Sequence, residues 1–189
     1  KMQTNIDNLL KETQSRMEDG VEAMQEDFAA VRTGKASPAL VEGLQVDYYG
    51  STVKLREIAG ITAPEPRLLV IQPWDQNAIS SIEKAIQASN IGISPVSDGR
   101  VVRLPVPELS EERRGEMTKL VKNRAEQARV EVRNVRRDAN DIARKAEKTS
   151  AITEDDLSDM VKDIQKLTDD HIEMINEMLE EKTQELMKI

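Results

Sequence analysis

One run of residues leaves this chain little freedom: Val121, Ala125, Ala128, Val132, Val135, Ala139, Ile142 and Ala146 follow one another by alternating steps of four and three. That is the repeat of a helix packed along other helices, and no strand keeps such a rhythm. The segment from Ser110 to Lys148 therefore reads as one long helix with a seam of small side chains. It is also where the charge reverses. It holds 12 Lys/Arg against 8 Asp/Glu, whereas the whole chain carries a net −8. At about 100° per residue, Arg129 and Arg136 share a heptad position and Arg133 projects beside them, next to the buried seam. Arg137 and Arg144 lie farther round.

A row of guanidiniums repels itself until phosphates lie along it and condensed counterions leave. A solvated outer face is the simpler account of a charge run, but the preference for Arg over Lys in an acidic chain favours a polyanion. Arg129, Arg133, Arg136, Arg137 and Lys122 are the candidate residues for gripping that polyanion, with folded RNA left open.

Two further helices are expected. Ile6, Leu10, Thr13, Met17, Val21, Met24, Phe28 and Val31 step by three and four, and the helix they define ends near Gly34 and Pro38, which release and then block helical backbone. Past a break at Thr149-Ser150-Ala151, Thr153 and Asp156 resemble a capping box. The helix that follows has a seam of Leu157, Val161, Ile164, Leu167, His171, Ile175, Met178 and Leu186, and 12 acidic residues against four lysines. None of the three hides its apolar stripe alone, so they form a bundle.

Between the first two helices the period changes to two. Leu44, Val46 and Tyr48 alternate, Gly50-Ser51 supplies a turn, and Val53 and Leu55 return. Ile58 to Ala63 and Arg67 to Gln72 flank Pro64-Glu65-Pro66, read as a connection. Asp75 caps a short helix with Ile79, Ile82, Ala85 and Ile86 on one face. Strands around Ile93 to Ser97 and Arg100 to Leu104 turn at Asp98-Gly99. Pro105-Val106-Pro107 forms a stiff return, and Ser110 caps the arginine-rich helix. The fold class is α+β: a long three-helix bundle, residues 1–32 and 105–189, with an inserted small α+β domain at 33–104.

Catalysis has little to work with. There is no Cys and only one His, His171, which sits on a seam. Thiolate and ordinary zinc or copper sites are thereby excluded, and neither catalytic nor metal-binding residues are expected. Gly34-Lys35 does not complete a phosphate loop, since Ala29 and Ala36 stand where Gly and Ser/Thr are needed. No apolar stretch reaches the roughly 20 residues of a membrane span, and Lys1-Met2-Gln3-Thr4-Asn5 lacks an apolar signal core. A cytoplasmic protein with no membrane partner is expected. No aromatic falls in the arginine-rich segment, which disfavours a base-stacking binder there.

The runs Leu109-Ser110-Glu111-Glu112-Arg113-Arg114, Ala125-Glu126-Gln127-Ala128-Arg129 and Val132-Arg133-Asn134-Val135-Arg136-Arg137-Asp138-Ala139-Asn140 closely resemble the bacterial ribosome recycling factors. So do Arg32-Thr33-Gly34-Lys35-Ala36-Ser37-Pro38, Val70-Ile71-Gln72-Pro73-Trp74-Asp75 and Glu185-Leu186-Met187. Lys35 stands where many relatives have Arg. The resemblance implies an L-shaped molecule with a β/α/β second domain. It implies a factor that splits the post-termination ribosome together with elongation factor G, which spends the GTP, so that the chain itself is no enzyme and needs no cofactor. It further implies contact with large-subunit rRNA through Arg133 and Arg136, with Arg129 beside them, and movement about a hinge at Arg32, Thr33, Gly34, Ser37, Leu104, Pro105 and Pro107. A monomer that binds no DNA is expected. The competing expectation is a coiled-coil adaptor or chaperone that grips protein clients without RNA.

Overall fold

A computed structural model describes residues 6–188; the opening segment read above as lacking a signal core lies outside them. The chain divides into two compact units: residues up to Gln25 with Leu120–Lys182, and Glu26–Lys119 with residues from Thr183 on. The α+β class is borne out. Among the described residues there are four α-helices, a two-stranded hairpin and a four-stranded sheet.

The first unit is helical. It contains most of α1 (Leu9–Ala29), much of α3 (Glu111–Lys148) and nearly all of α4 (Glu154–Met187). The α3 seam buries Val121, Ala125, Ala128, Val132, Val135, Ala139, Ala143 and Ala146, so Ala143 takes the place predicted for Ile142, which is only half-buried. A straight helix turns every 3.6 residues rather than 3.5, and a 4-4-3 step at the end absorbs the drift. In α1, Leu9 is buried more deeply than Leu10, alongside Thr13, Met17, Val21 and Met24, and Ile6 just ahead of the helix is buried too. In α4, fully buried Thr168 replaces half-buried Leu167; its hydroxyl donates to the Ile164 carbonyl at 2.8 Å, which lets a polar side chain enter the core at little cost. His171 is buried on the same seam, its Nδ1 2.6 Å from the Leu167 carbonyl oxygen.

The turn between α3 and α4 is locally encoded. Ser150 adopts a left-handed φ of 59°. Ala151 N–H donates to the Ala146 carbonyl at 2.8 Å and Ser150 N–H to Glu147 at 2.9 Å, which ends α3 in a Schellman pair. Thr153 then starts α4: its hydroxyl accepts from Asp156 N–H at 3.1 Å, while the Asp156 carboxylate accepts from Thr153 N–H at 3.0 Å.

The second unit contains the strands. β1 (Gln45–Tyr48) and β2 (Ser51–Lys54) pair antiparallel. Their turn is Tyr49-Gly50, one residue earlier than predicted, because both have positive φ, 49° and 81°, the geometry that matches strand twist. β3 (Ala59–Glu65), β4 (Leu68–Pro73), β5 (Val96–Ser97) and β6 (Val102–Pro105) form an antiparallel sheet ordered β3-β4-β6-β5. Pro64 lies inside β3 rather than in the connection. The ladder tolerates it because β3 is an edge strand whose register shifts between Thr62 and Glu65. Asp75 does cap, accepting from Asn77 N–H at 2.9 Å, but it caps a 3₁₀ turn that leads into α2 (Ile79–Ala88). Ile82 and Ile86 of α2 enter a core with Leu55, Leu69, Ile71, Val102 and Leu104. The loop at Gly99, φ 87°, is held by Asp98, whose carboxylate accepts from Arg100 and Val101 N–H at 2.9 and 3.0 Å and pairs with Arg103 at 2.6 Å. Those two backbone donors and the guanidinium hold Asp98 far below the usual carboxylate range.

Candidate nucleic-acid interface

α3 begins where its sequence says it should. The Ser110 hydroxyl accepts from Arg113 N–H at 3.2 Å, and Glu111 and Glu112 sit at the positive end of the helix dipole. From that start the helix carries its candidate cations along an edge beside the buried seam. Lys122, Arg129 and Arg136 recur every seven residues, so the row extends about 21 Å at a rise of 1.5 Å per residue.

The five candidates are not equally available. Arg129 is bound within the helical unit: its Nε and Nη2 both reach the Asn176 side-chain oxygen of α4, at 2.9 and 2.8 Å, and its Nη1 pairs with Glu126 at 2.9 Å. Its side chain is only 19% exposed. Arg133 is 41% exposed and meets the same Glu126 at 3.3 Å. Arg136 is half-buried and Arg137 exposed, and among the described residues neither makes an ion pair; Lys122 is exposed in the same way. Among the described residues, none of Arg129, Arg133, Arg136 or Arg137 pairs with an acid of α4. The acidic helix therefore does not neutralise this edge.

Glu126 and Asn176 are the residues that sequence reasoning missed. Hydrogen bonds from Arg129 first, and then from Arg133, hold the Glu126 carboxyl below its ordinary pKa. The signal was present as spacings of three and seven along one helix face. Nothing comparable in the sequence points to Asn176, which meets Arg129 from 47 positions away.

The proposed hinge residues lie in the second unit, and they differ among themselves. Arg32 is 7% exposed. Its Nη2 donates to the Pro107 carbonyl and its Nη1 to the Gly92 carbonyl at 3.4 Å, so it ties the segment after α1 to the segment before α3. Burial, and secondarily the neighbouring charge of Arg113, lowers its pKa. Leu104 and Pro105 are strand residues paired with Leu69 and Leu68. Thr33, Gly34 and Ser37 are half-buried; nothing lies within 4 Å of a Cβ built on Gly34, and Thr33 Oγ1 accepts from Lys35 N–H at 3.5 Å.

No group of three or more His, Cys, Asp or Glu residues among those described could hold a metal ion, and no described helix is long and apolar enough to cross a membrane.

Comparison with known proteins agrees with the runs of residues along α3. The family model described as "Ribosome recycling factor" matches residues 24–187. The chain is 48% identical over 184 residues to the ribosome-recycling factor of Syntrophomonas wolfei, covering 97% of this chain and all of that one. It is 46% identical over 181 residues to that of Bacillus licheniformis, covering 96% and 98%. Among solved structures it resembles a solution structure of the ribosome recycling factor, with TM-score 0.77, 40% identity and 98% of both chains covered. It also resembles a structure of the T. thermophilus ribosome recycling factor and E. coli elongation factor G bound to the E. coli post-termination complex, with TM-score 0.67, 42% identity, and 97% and 99% covered. A family model spanning most of the sequence, and relatives this similar over nearly their whole length, show that the chain belongs to the ribosome recycling factor family.

Proposed function

We propose that this protein splits the post-termination ribosome into subunits with elongation factor G, gripping large-subunit rRNA along the Lys122–Arg137 edge of α3. The observation that carries the reading is the edge itself: Arg133 remains substantially exposed, and among the described residues Arg136 and Arg137 make no ion pair and no acid of α4 pairs with any of the three. The relative seen with elongation factor G on the post-termination complex supports the choice of partners.

In this account the chain is not an enzyme and carries no cofactor; the GTP is spent by the GTPase. It works in the cytoplasm as a monomer. The bundle, residues 1–32 and 105–189, is the anchored arm, and residues 33–104 are the arm that moves. The pivot is the crossing from Thr33 to Ser37, where nothing lies within 4 Å of a Cβ built on Gly34, with Arg32 and Pro107 as the joint that holds the two crossings together. Arg133 and Arg136 supply charge and rigid donor forks to phosphates, and Arg129, already held by Asn176, positions its neighbours more than it binds.

Arg136→Ala tests this. Its side chain lies off the seam, so the variant folds as wild type does, but ribosome binding weakens by about tenfold and splitting at limiting factor falls with it. A variant that splits ribosomes as well as wild type at limiting concentration contradicts the assignment.

A further inference from the structure

The molecule's one tryptophan is not in its core. Trp74 is 72% exposed, although its backbone is held: the main-chain N–H donates to the Ile58 carbonyl at 3.1 Å, just after β4 pairs with β3. It forms one wall of a cleft of about 560 Å³ lined by Gly60, Gln72, Pro73, Trp74, Gln76 and Arg100. Gly60 and Gln72 are direct register partners on β3 and β4, on the face opposite the buried Ala59 and Ile71. Without a side chain, Gly60 leaves the floor of the cleft open. Arg100 projects from the exposed Asp98–Gly99 loop and makes no ion pair among the described residues, because Asp98 is already engaged by Arg103 and two backbone N–H groups. The other acid nearby, Asp75, is occupied by Tyr49, Tyr48 and Asn77 N–H.

The lining is thus free of carboxylates in a chain of net charge −8. It combines one exposed π-face, one unpaired guanidinium and two amides. A π-face stacks on any base, amides offer a donor and an acceptor to a base edge, and guanidinium takes phosphate. An apolar partner would leave the cation and amides unpaired, and a cationic one would meet Arg100. We infer that this cleft binds an unpaired ribonucleotide, stacked on Trp74 with its phosphate at Arg100, as a second RNA contact separate from the α3 edge.

Trp74 is its own reporter. Titrating the full chain with an unstructured single-stranded oligoadenylate quenches its emission saturably, a duplex of the same length does not, and the quenching persists in Arg133→Ala/Arg136→Ala, where the α3 grip is removed. A Cβ added at Gly60 meets nothing nearer than the Gln72 carbonyl oxygen at 3.9 Å, and Gly60→Val, whose methyls occupy the floor, weakens the response about tenfold. Arg100→Ala, in an exposed loop that leaves the core intact, weakens it several-fold and keeps the test decisive should Gly60→Val misfold. Absent quenching, equal quenching by duplex, or a response unchanged in both cleft variants overturns the inference. So does a response to an acidic peptide but not to RNA, which would give the cleft to a protein partner.

Discussion

α3 and α4 are similar helices, 38 and 34 residues long, and each contributes one amphipathic seam to the same helical unit. Their seams differ in size. α3 buries only Ala and Val, while α4 buries Ile164, Thr168, His171 and Ile175, and the small Ala139, Ala143 and Ala146 share one core cluster with the larger Ile164. Their outer faces differ in sign. α4 exposes a dense run of carboxylates; α3 exposes arginines beside its seam. Packing requires nothing of either outer face, so the contrast separates what holds the unit together from what it presents to a partner. It also separates arginines that are spent, such as Arg129 on Asn176, from those left over.

The strongest way to break the comparison is to disturb the seam and see whether the face follows. Ile164→Ala removes a fully buried side chain of α4 and costs about 2–5 kcal/mol, read as a lower urea midpoint, with the salt dependence of ribosome binding by the folded fraction unchanged. Glu126→Gln acts on the face alone. It frees Arg129 and Arg133 from a competing carboxylate, and ribosome affinity rises about two- to fivefold, measured by co-sedimentation. Thr168→Val keeps the shape and removes the hydroxyl together with its bond to Ile164, so thermal stability shifts by about 1 kcal/mol or less. The smallest effect is on pH. Because the Glu126 pKa is depressed by Arg129 and Arg133, its stabilising contribution is complete above the ordinary carboxylate range and is lost as pH falls through the depressed value. Acid titration of stability is therefore slightly shallower in Glu126→Gln than in wild type.

Periodicity in the sequence located all three long helices and most of the strands, because each apolar stripe has to be buried against other elements. It misplaced residues where a second force acts. Thr168 outranked Leu167 because a hydroxyl bonded to its own helix is no longer polar to its surroundings. Ala143 outranked Ile142 because heptads drift, and Tyr49 entered the turn because strand twist demands positive φ at two positions. At the candidate interface the arginines were legible from charge and spacing, but their availability was not. That depends on Asn176 and on Glu126, and only tertiary structure shows that Arg129 is committed while Arg136 is not. Arg32 read as a hinge residue, and nothing in the local sequence showed that its guanidinium joins Pro107 and Gly92.

The measurement that bears most directly on the α3 edge is the slope of log ribosome affinity against log salt for wild type and for Arg133→Ala/Arg136→Ala. A phosphate grip predicts a variant that melts as wild type does, binds more weakly at low salt, and has a slope shallower by about 2. Equal slopes, with both proteins folded, contradict it.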